Sequence, residues 1–258
     1  MYARTTARLL SAALLVAAAA CGSDAATSPT PNASANLDRA FAELQIPALA
    51  SYSGTAASAI AAITPSITDR SPCAYTPATQ SFVCPTQSVS GLTVAASYSL
   101  LSATGAAQPA FDPATTNAVH TDARATGTVT SGATKLTVDA KQTLSLSGLL
   151  SERHVLDGTG TTAVNGVLAQ STGTTPVALT ATTTIAQLVF PPSGSNARWP
   201  LSGTITSVSS TTIGAFPAIA ARVVVTFNGT SSAGVDVSIA GVDSHCTIDL
   251  GTKATSCR

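Results

Sequence analysis

The sequence predicts an all-β protein: a long-stranded antiparallel meander, curled into a half-barrel or barrel-like sheet, with a short N-terminal helix docked on it. Three observations lead there. From Lys135 to Leu150 the even positions read Leu136, Val138, Ala140, Gln142, Leu144, Leu146, Gly148 and Leu150, while the odd positions to Ser147 are Lys, Thr, Asp or Ser. A period of two kept over that length describes one long strand with a dry and a wet face, since a helix would scatter the same residues around its surface. Secondly, only 9% of the chain is charged, and its polar character comes from runs such as Thr182-Thr183-Thr184, Ser209-Ser210 and Thr211-Thr212. Threonine suits a pleated surface because its branched Cβ restricts χ1 and packs against cross-strand neighbours. Thirdly, the strand-like runs follow one another through short turns with no helical segment between them. That arrangement favours antiparallel pairing, because parallel strands need long crossovers.

The elements follow in chain order. Met1 to Ala20 has the form of a secretory signal: Arg4 and Arg8 give a positive start, and Leu9 to Ala20 form an apolar stretch broken only by Ser11, too short to span a bilayer. Ala18, Ala19 and Ala20 then precede Cys21, with Gly22, Ser23 and Asp24 after it. This junction resembles the lipobox of exported bacterial lipoproteins, although Ala18 stands where that family prefers leucine. The resemblance implies cleavage before Cys21, diacylation of its thiol, and retention at the cell envelope, at the outer membrane. Two acyl chains anchor a protein where one binds only marginally.

Residues 21–35 read as a tether of Ser, Thr, Pro and Ala carrying the single charge Asp24, and 36–258 as one β-rich domain. Leu37, Ala40, Phe41 and Leu44 share one helical face, with Asn36 placed as the cap and Pro47 as the stop. A helix of about ten residues is marginal alone, so this face is expected to dock on the sheet. Ala48 to Ile63 is small and apolar. Strands are expected over Leu92–Ala103, Val119–Thr130, Lys135–Leu150, His154–Ala169, Val177–Phe190, Leu201–Ile213, Val223–Phe227, Val235–Ile239 and Cys246–Leu250. Asn228-Gly229 marks a turn, and Asp157-Gly158 or Asn165-Gly166 would each split the fourth of these strands if it formed a hairpin. Strands much longer than the usual ~5 or 6 residues favour a strongly twisted, curling sheet over a flat sandwich.

Besides Cys21 there are four cysteines, Cys73 with Cys84 and Cys246 with Cys257, each pair eleven positions apart. Three connectivities are possible. The two local pairings are favoured, because Tyr75 and Phe82 flank a Thr-Pro-Ala-Thr-Gln turn in the first segment and Gly251 lies within the second. A four-cysteine zinc site would want ligands about two to four residues apart, which these are not.

Charge excludes several functions. Basic and acidic residues number twelve each, and two of the basic ones, Arg4 and Arg8, belong to the leader. No basic footprint for nucleic acid or anionic lipid results. The mature chain contains a single Trp, Trp199, and few other aromatics, against the aromatic girdles of a membrane-spanning barrel.

Catalytic patterns fail on spacing. Gly229-Thr230-Ser231-Ser232-Ala233-Gly234 misses a nucleophile elbow by one residue, and Asp157-Gly158-Thr159-Gly160 has neither the sequence nor the second copy of an aspartic-protease motif and reads as a tight turn. Glu43 and Glu152 are the only glutamates. His120 with Asp122, and Asp243 with His245, would each project to one side of a strand, but a metal site needs a third ligand that spacing does not supply; His154 has no such neighbour. Asn32-Ala33-Ser34 and Asn228-Gly229-Thr230 match the glycosylation sequon and read as tether and turn. Trp199-Pro200 is read as covering a sheet edge, or else as an exposed anchor.

The expected function is therefore non-enzymatic: an envelope lipoprotein with no cofactor, held to a membrane by its lipid. Its curved sheet would bind an apolar ligand or a segment of an envelope protein on the concave face. A structural or adhesive surface module is the second reading, and a hydrolase whose site is invisible in sequence the third.

Overall fold

The computed structural model describes residues 73–89, 91–170, 173–191 and 199–257. They form fourteen strands: β1 Ala74–Thr76, β2 Ser81–Val83, β3 Gln87–Val89, β4 Leu92–Ser102, β5 Ala107–Gln108, β6 Thr116–Ser131, β7 Thr134–Ser147, β8 His154–Gln170, β9 Gly173–Phe190, β10 Ser202–Ile213, β11 Ile219–Phe227, β12 Ser232–Ile239, β13 Val242–Asp249 and β14 Thr255–Cys257. All belong to one antiparallel sheet ordered β1-β2-β4-β6-β7-β8-β9-β10-β11-β12-β13-β14, with β3 and β5 paired to β4. The all-β meander is as the sequence predicts. It does not close into a barrel: among the described residues β1 pairs only with β2, and β14 only with β13. No helix occurs among those residues, and the segments read as leader, lipid-bearing Cys21, tether and Leu37 to Leu44 helix lie outside them.

Period-two patterning decides which face is dry. In β7 the even residues Leu136, Val138 and Leu146 are buried, in β11 the odd residues Ala221, Val223, Val225 and Phe227, and in β12 Ala233, Val235, Val237 and Ile239. Register carries one face across the sheet, because residues directly opposite on antiparallel strands point the same way. Leu144, Gly158, Ile185, Ile205, Val225, Val235, Cys246 and Cys257 are successive partners from β7 to β14. The largest buried cluster lies on this face from β7 to β13, and Leu188, Ile205 and Ile248 within it have 0% exposure. A second cluster joins Leu92 on β4 to Leu136, Val138, Val164, Leu168, Val177 and Leu179 on β7 to β9.

Strand β8 runs over the expected residues and replaces the tight turn read at Asp157-Gly158-Thr159-Gly160. Asp157-Gly158 and Asn165-Gly166 are not turns, and the strand runs unbroken through both from His154 to Gln170. The glycines answer to the neighbouring strand instead. A Cβ at Gly158 would sit 2.6 Å from Leu144 Cδ2 and 2.6 Å from the Thr143 carbonyl oxygen, so only hydrogen fits between β8 and β7 there. Just beside it, the register of β8 against β9 shifts after Leu156, and Gln187 takes φ 50°. Asp157 Oδ1 holds that bulge by accepting the Gln187 backbone N–H at 2.7 Å.

Both terminal hairpins are stapled as the local pairing predicts: Cys73 to Cys84 across β1 and β2, and Cys246 to Cys257 across β13 and β14. At the first edge Tyr75, Phe82 and Tyr98 are directly opposed on β1, β2 and β4, with ring centroids 5.1 Å and then 4.7 Å apart. At the other, the Trp199 indole lies 3.7 Å from where a Cβ on Gly251 would stand, and Trp199 is half-buried. This matches a tryptophan that covers the sheet edge. Asn228 makes its expected turn, its Oδ1 accepting from the Thr230 N–H at 3.1 Å and the Thr230 hydroxyl at 2.7 Å.

Candidate functional site

Because the dry face is committed to the core, chemistry available to a partner lies on the other face. There the register assembles hydroxyls that are distant in sequence. Thr143, Thr159, Thr184 and Thr206 are successive partners on β7, β8, β9 and β10. One step along the strands, Arg124, Lys141, Thr161 and Thr182 are successive partners on β6 to β9, and one step further come Asp139, Ala163, Thr180 and Ser210 on β7 to β10. Neighbouring hydroxyls repeat at ~4.8 Å across strands and ~6.7 Å along them.

Within this lattice lies an open recess of about 460 Å³. Arg124, Asp139 and Lys141 form one wall, Thr161, Thr180 and Thr182 the other, and Ala163, the smallest side chain of its row, lies between them. Thr162 and Ala181 complete the floor. Arg124 grips Asp139 with two hydrogen bonds, Nε to Oδ1 at 3.1 Å and Nη2 to Oδ2 at 2.9 Å. This fork holds the Asp139 carboxyl below the ordinary carboxylate range and raises Arg124 further, although both side chains are more than half exposed. Lys141, directly opposite Arg124, makes no ion pair or side-chain hydrogen bond among the described residues, nor do the hydroxyls of Thr161, Thr180 and Thr182. The site can thus offer one unpaired ammonium and three free hydroxyls to a polar ligand.

The histidines lie on strands, His120 on β6, His154 on β8 and His245 on β13. His120 and Asp122 are exposed on one face of β6, where Asp122 accepts a hydrogen bond from the Thr143 hydroxyl at 2.7 Å. His245 does not join Asp243; its Nδ1 lies 2.6 Å from Asp236 Oδ1 on the neighbouring strand. Among the described residues no three His, Cys, Asp or Glu come together in an arrangement that could hold a metal. The sheet does align Ser99, His120, Ser145 and Asp157 on β4, β6, β7 and β8. A hydrolytic triad needs histidine between nucleophile and carboxylate. Here Ser145 separates His120 from Asp157, whose carboxylate is engaged by Gln187.

Asp157-Gly158-Thr159-Gly160 lies inside β8 rather than in a turn, and Ser231 lies in the turn before β12. No helix among the described residues is long and apolar enough to cross a membrane. The Arg124–Lys141 recess escaped sequence reading, although a signal existed. The Gly132-Ala133 turn between β6 and β7 fixes a register in which Arg124 and Lys141 are partners, and adjacent cations are conspicuous in so uncharged a chain.

No known protein family, curated protein or solved structure matches this chain.

Proposed function

We propose that the chain is an exported envelope lipoprotein, anchored through diacylated Cys21 and a 21–35 tether at the bacterial outer membrane, whose sheet is a non-catalytic adhesive or structural module. The observation that carries this reading is the division of labour between the faces. One face is filled by its own side chains, Leu188, Ile205 and Ile248 having no exposure, while the other carries ranks of free threonine hydroxyls. A sheet of such long, twisted strands curls as a half-barrel, and the Leu37 to Leu44 helix is expected to dock on the sheet beside the packed cluster. The same packing weighs against an apolar ligand or lipoprotein segment on that face, which would need unfilled space. Two disulfides suit an oxidising compartment beyond the cytoplasm.

The test uses bacteria producing the full chain or its Cys21→Ser variant, with acyl labelling, membrane fractionation and attachment to surfaces as readouts. The wild-type chain is expected to carry label, sediment with the outer membrane and increase attachment, and the variant to lose all three. Persistence of label and retention in the variant would remove the anchor. Stoichiometric lipid held non-covalently and co-purifying with the Cys21→Ser chain would replace the adhesive reading with the apolar-ligand one.

A further inference from the structure

We infer that the recess between Arg124, Lys141 and the β8–β9 threonines is a binding site for a carboxylate-bearing sugar, Lys141 taking the carboxylate and Thr161, Thr180 and Thr182 taking neighbouring hydroxyls. The inference deepens the adhesive reading and rests on it for its setting.

The first reason is electrostatic. Like charges directly opposite on antiparallel strands destabilise a sheet, and Arg124 and Lys141 are such a pair. Asp139 binds the Arg124 guanidinium with both oxygens and Asp122, on the same face of β6, takes the Thr143 hydroxyl, so neither neighbouring carboxylate bonds Lys141. Of 258 residues only twelve are Lys or Arg, and the register sets two of them directly opposite each other, a like-charge cost. A ligand carboxylate at Lys141 removes it.

The second reason is the opposite wall. The hydroxyls of Thr161, Thr180 and Thr182 have no partner among the described residues, and each can both donate and accept. They stand at the cross-strand and along-strand spacings of the sheet, so together they frame an area about the size of one sugar ring, with Ala163 leaving depth at the centre. The ligand that matches one ammonium beside several hydroxyls has one carboxylate flanked by hydroxyls, as a uronic acid does. A neutral sugar leaves the ammonium unmatched, and an acidic peptide, whose carboxylates only accept, uses the donors of the hydroxyls but not their acceptors.

The experiment titrates the full-length chain, kept in detergent, with polygalacturonate, dextran and polyglutamate by calorimetry. Polygalacturonate is expected to bind and to weaken as salt rises; dextran and polyglutamate are expected to bind at least tenfold more weakly. Lys141→Gln should weaken polygalacturonate binding tenfold or more while leaving Tm unchanged or slightly raised, since it removes a like-charge contact. Thr182→Val should weaken binding severalfold with the fold retained. Undiminished binding by Lys141→Gln, equal binding of polyglutamate, or no binding of polygalacturonate would each overturn the site. Failure here with Cys21-dependent retention and attachment intact would leave the adhesive reading standing, whereas loss of those with saccharide binding intact would do the reverse.

Discussion

Asp249 shows how much one turn carboxylate can organise. Its Oδ1 accepts the backbone N–H of Thr252 at 2.7 Å, that of Gly251 at 2.9 Å and the Thr252 hydroxyl at 2.9 Å, closing the turn between β13 and β14. These donors, the Thr252 N–H foremost, hold its pKa below the ordinary 3.8. A carboxyl depressed in the folded state contributes stability above its unfolded pKa, and that contribution fades as pH falls from about 3.8 through the lower folded value. Asp112 behaves alike, accepting from the Ala114 N–H at 2.8 Å and the Thr115 hydroxyl at 2.9 Å. Asp249→Asn keeps one acceptor oxygen but cannot titrate. A series of thermal melts should therefore show a shallower loss of Tm below that pH in the variant than in wild type, and parallel acid limbs would remove Asp249 from the account. The sequence shows Gly251 in this hairpin but gives no sign of Asp249's part, because a turn carboxylate is recognised by the backbone N–H groups it faces.

At the scale of elements, what was legible followed the reach of the signal. The strand β7 was legible because alternation is repeated within one segment, and the terminal hairpins because Cys73 and Cys84, like Cys246 and Cys257, are close in sequence. At the glycines of β8 the sequence does not separate turn from strand, because Asp-Gly and Asn-Gly look the same in both. What distinguishes them is the approach of Leu144 and Thr143, residues on another strand. The staples have a mechanical role here, since an open meander has two edges and both are strands of three residues. Cys246→Ser with Cys257→Ser should lower unfolding free energy by about 3 kcal/mol, the chain-entropy value for a loop of this size. Denaturant titration under non-reducing conditions reads it. A loss below ~1 kcal/mol would mean that the β13–β14 hairpin holds its register through Asp249 and the Trp199 contact alone, and that the bond is not what constrains this edge.

Across the whole molecule, one sheet supplies both core and surface, and the two faces should respond oppositely to substitution. Ile205 and Val208 share β10 and are three residues apart, an odd interval that places them on opposite faces. Ile205 has 0% exposure between Ile185 and Val225, whereas Val208 is 48% exposed between Thr182 and Arg222. The recess was hidden from sequence reading for the same reason that these partners were: Arg124, Lys141, Thr161 and Thr182 lie on four strands, and only cross-strand register brings them together. Ile205→Ala removes buried methyl groups from the largest cluster and is expected to cost 2–5 kcal/mol, at the upper end where the surrounding strands cannot collapse into the space. Val208→Thr extends the hydroxyl lattice by one position and should stay within ~0.5 kcal/mol of wild type. Chemical denaturation of both variants separates the faces. If Val208→Thr proved as costly as Ile205→Ala, the exposed face would be buried against something in the native protein, and the assignment of core to one face alone would fail.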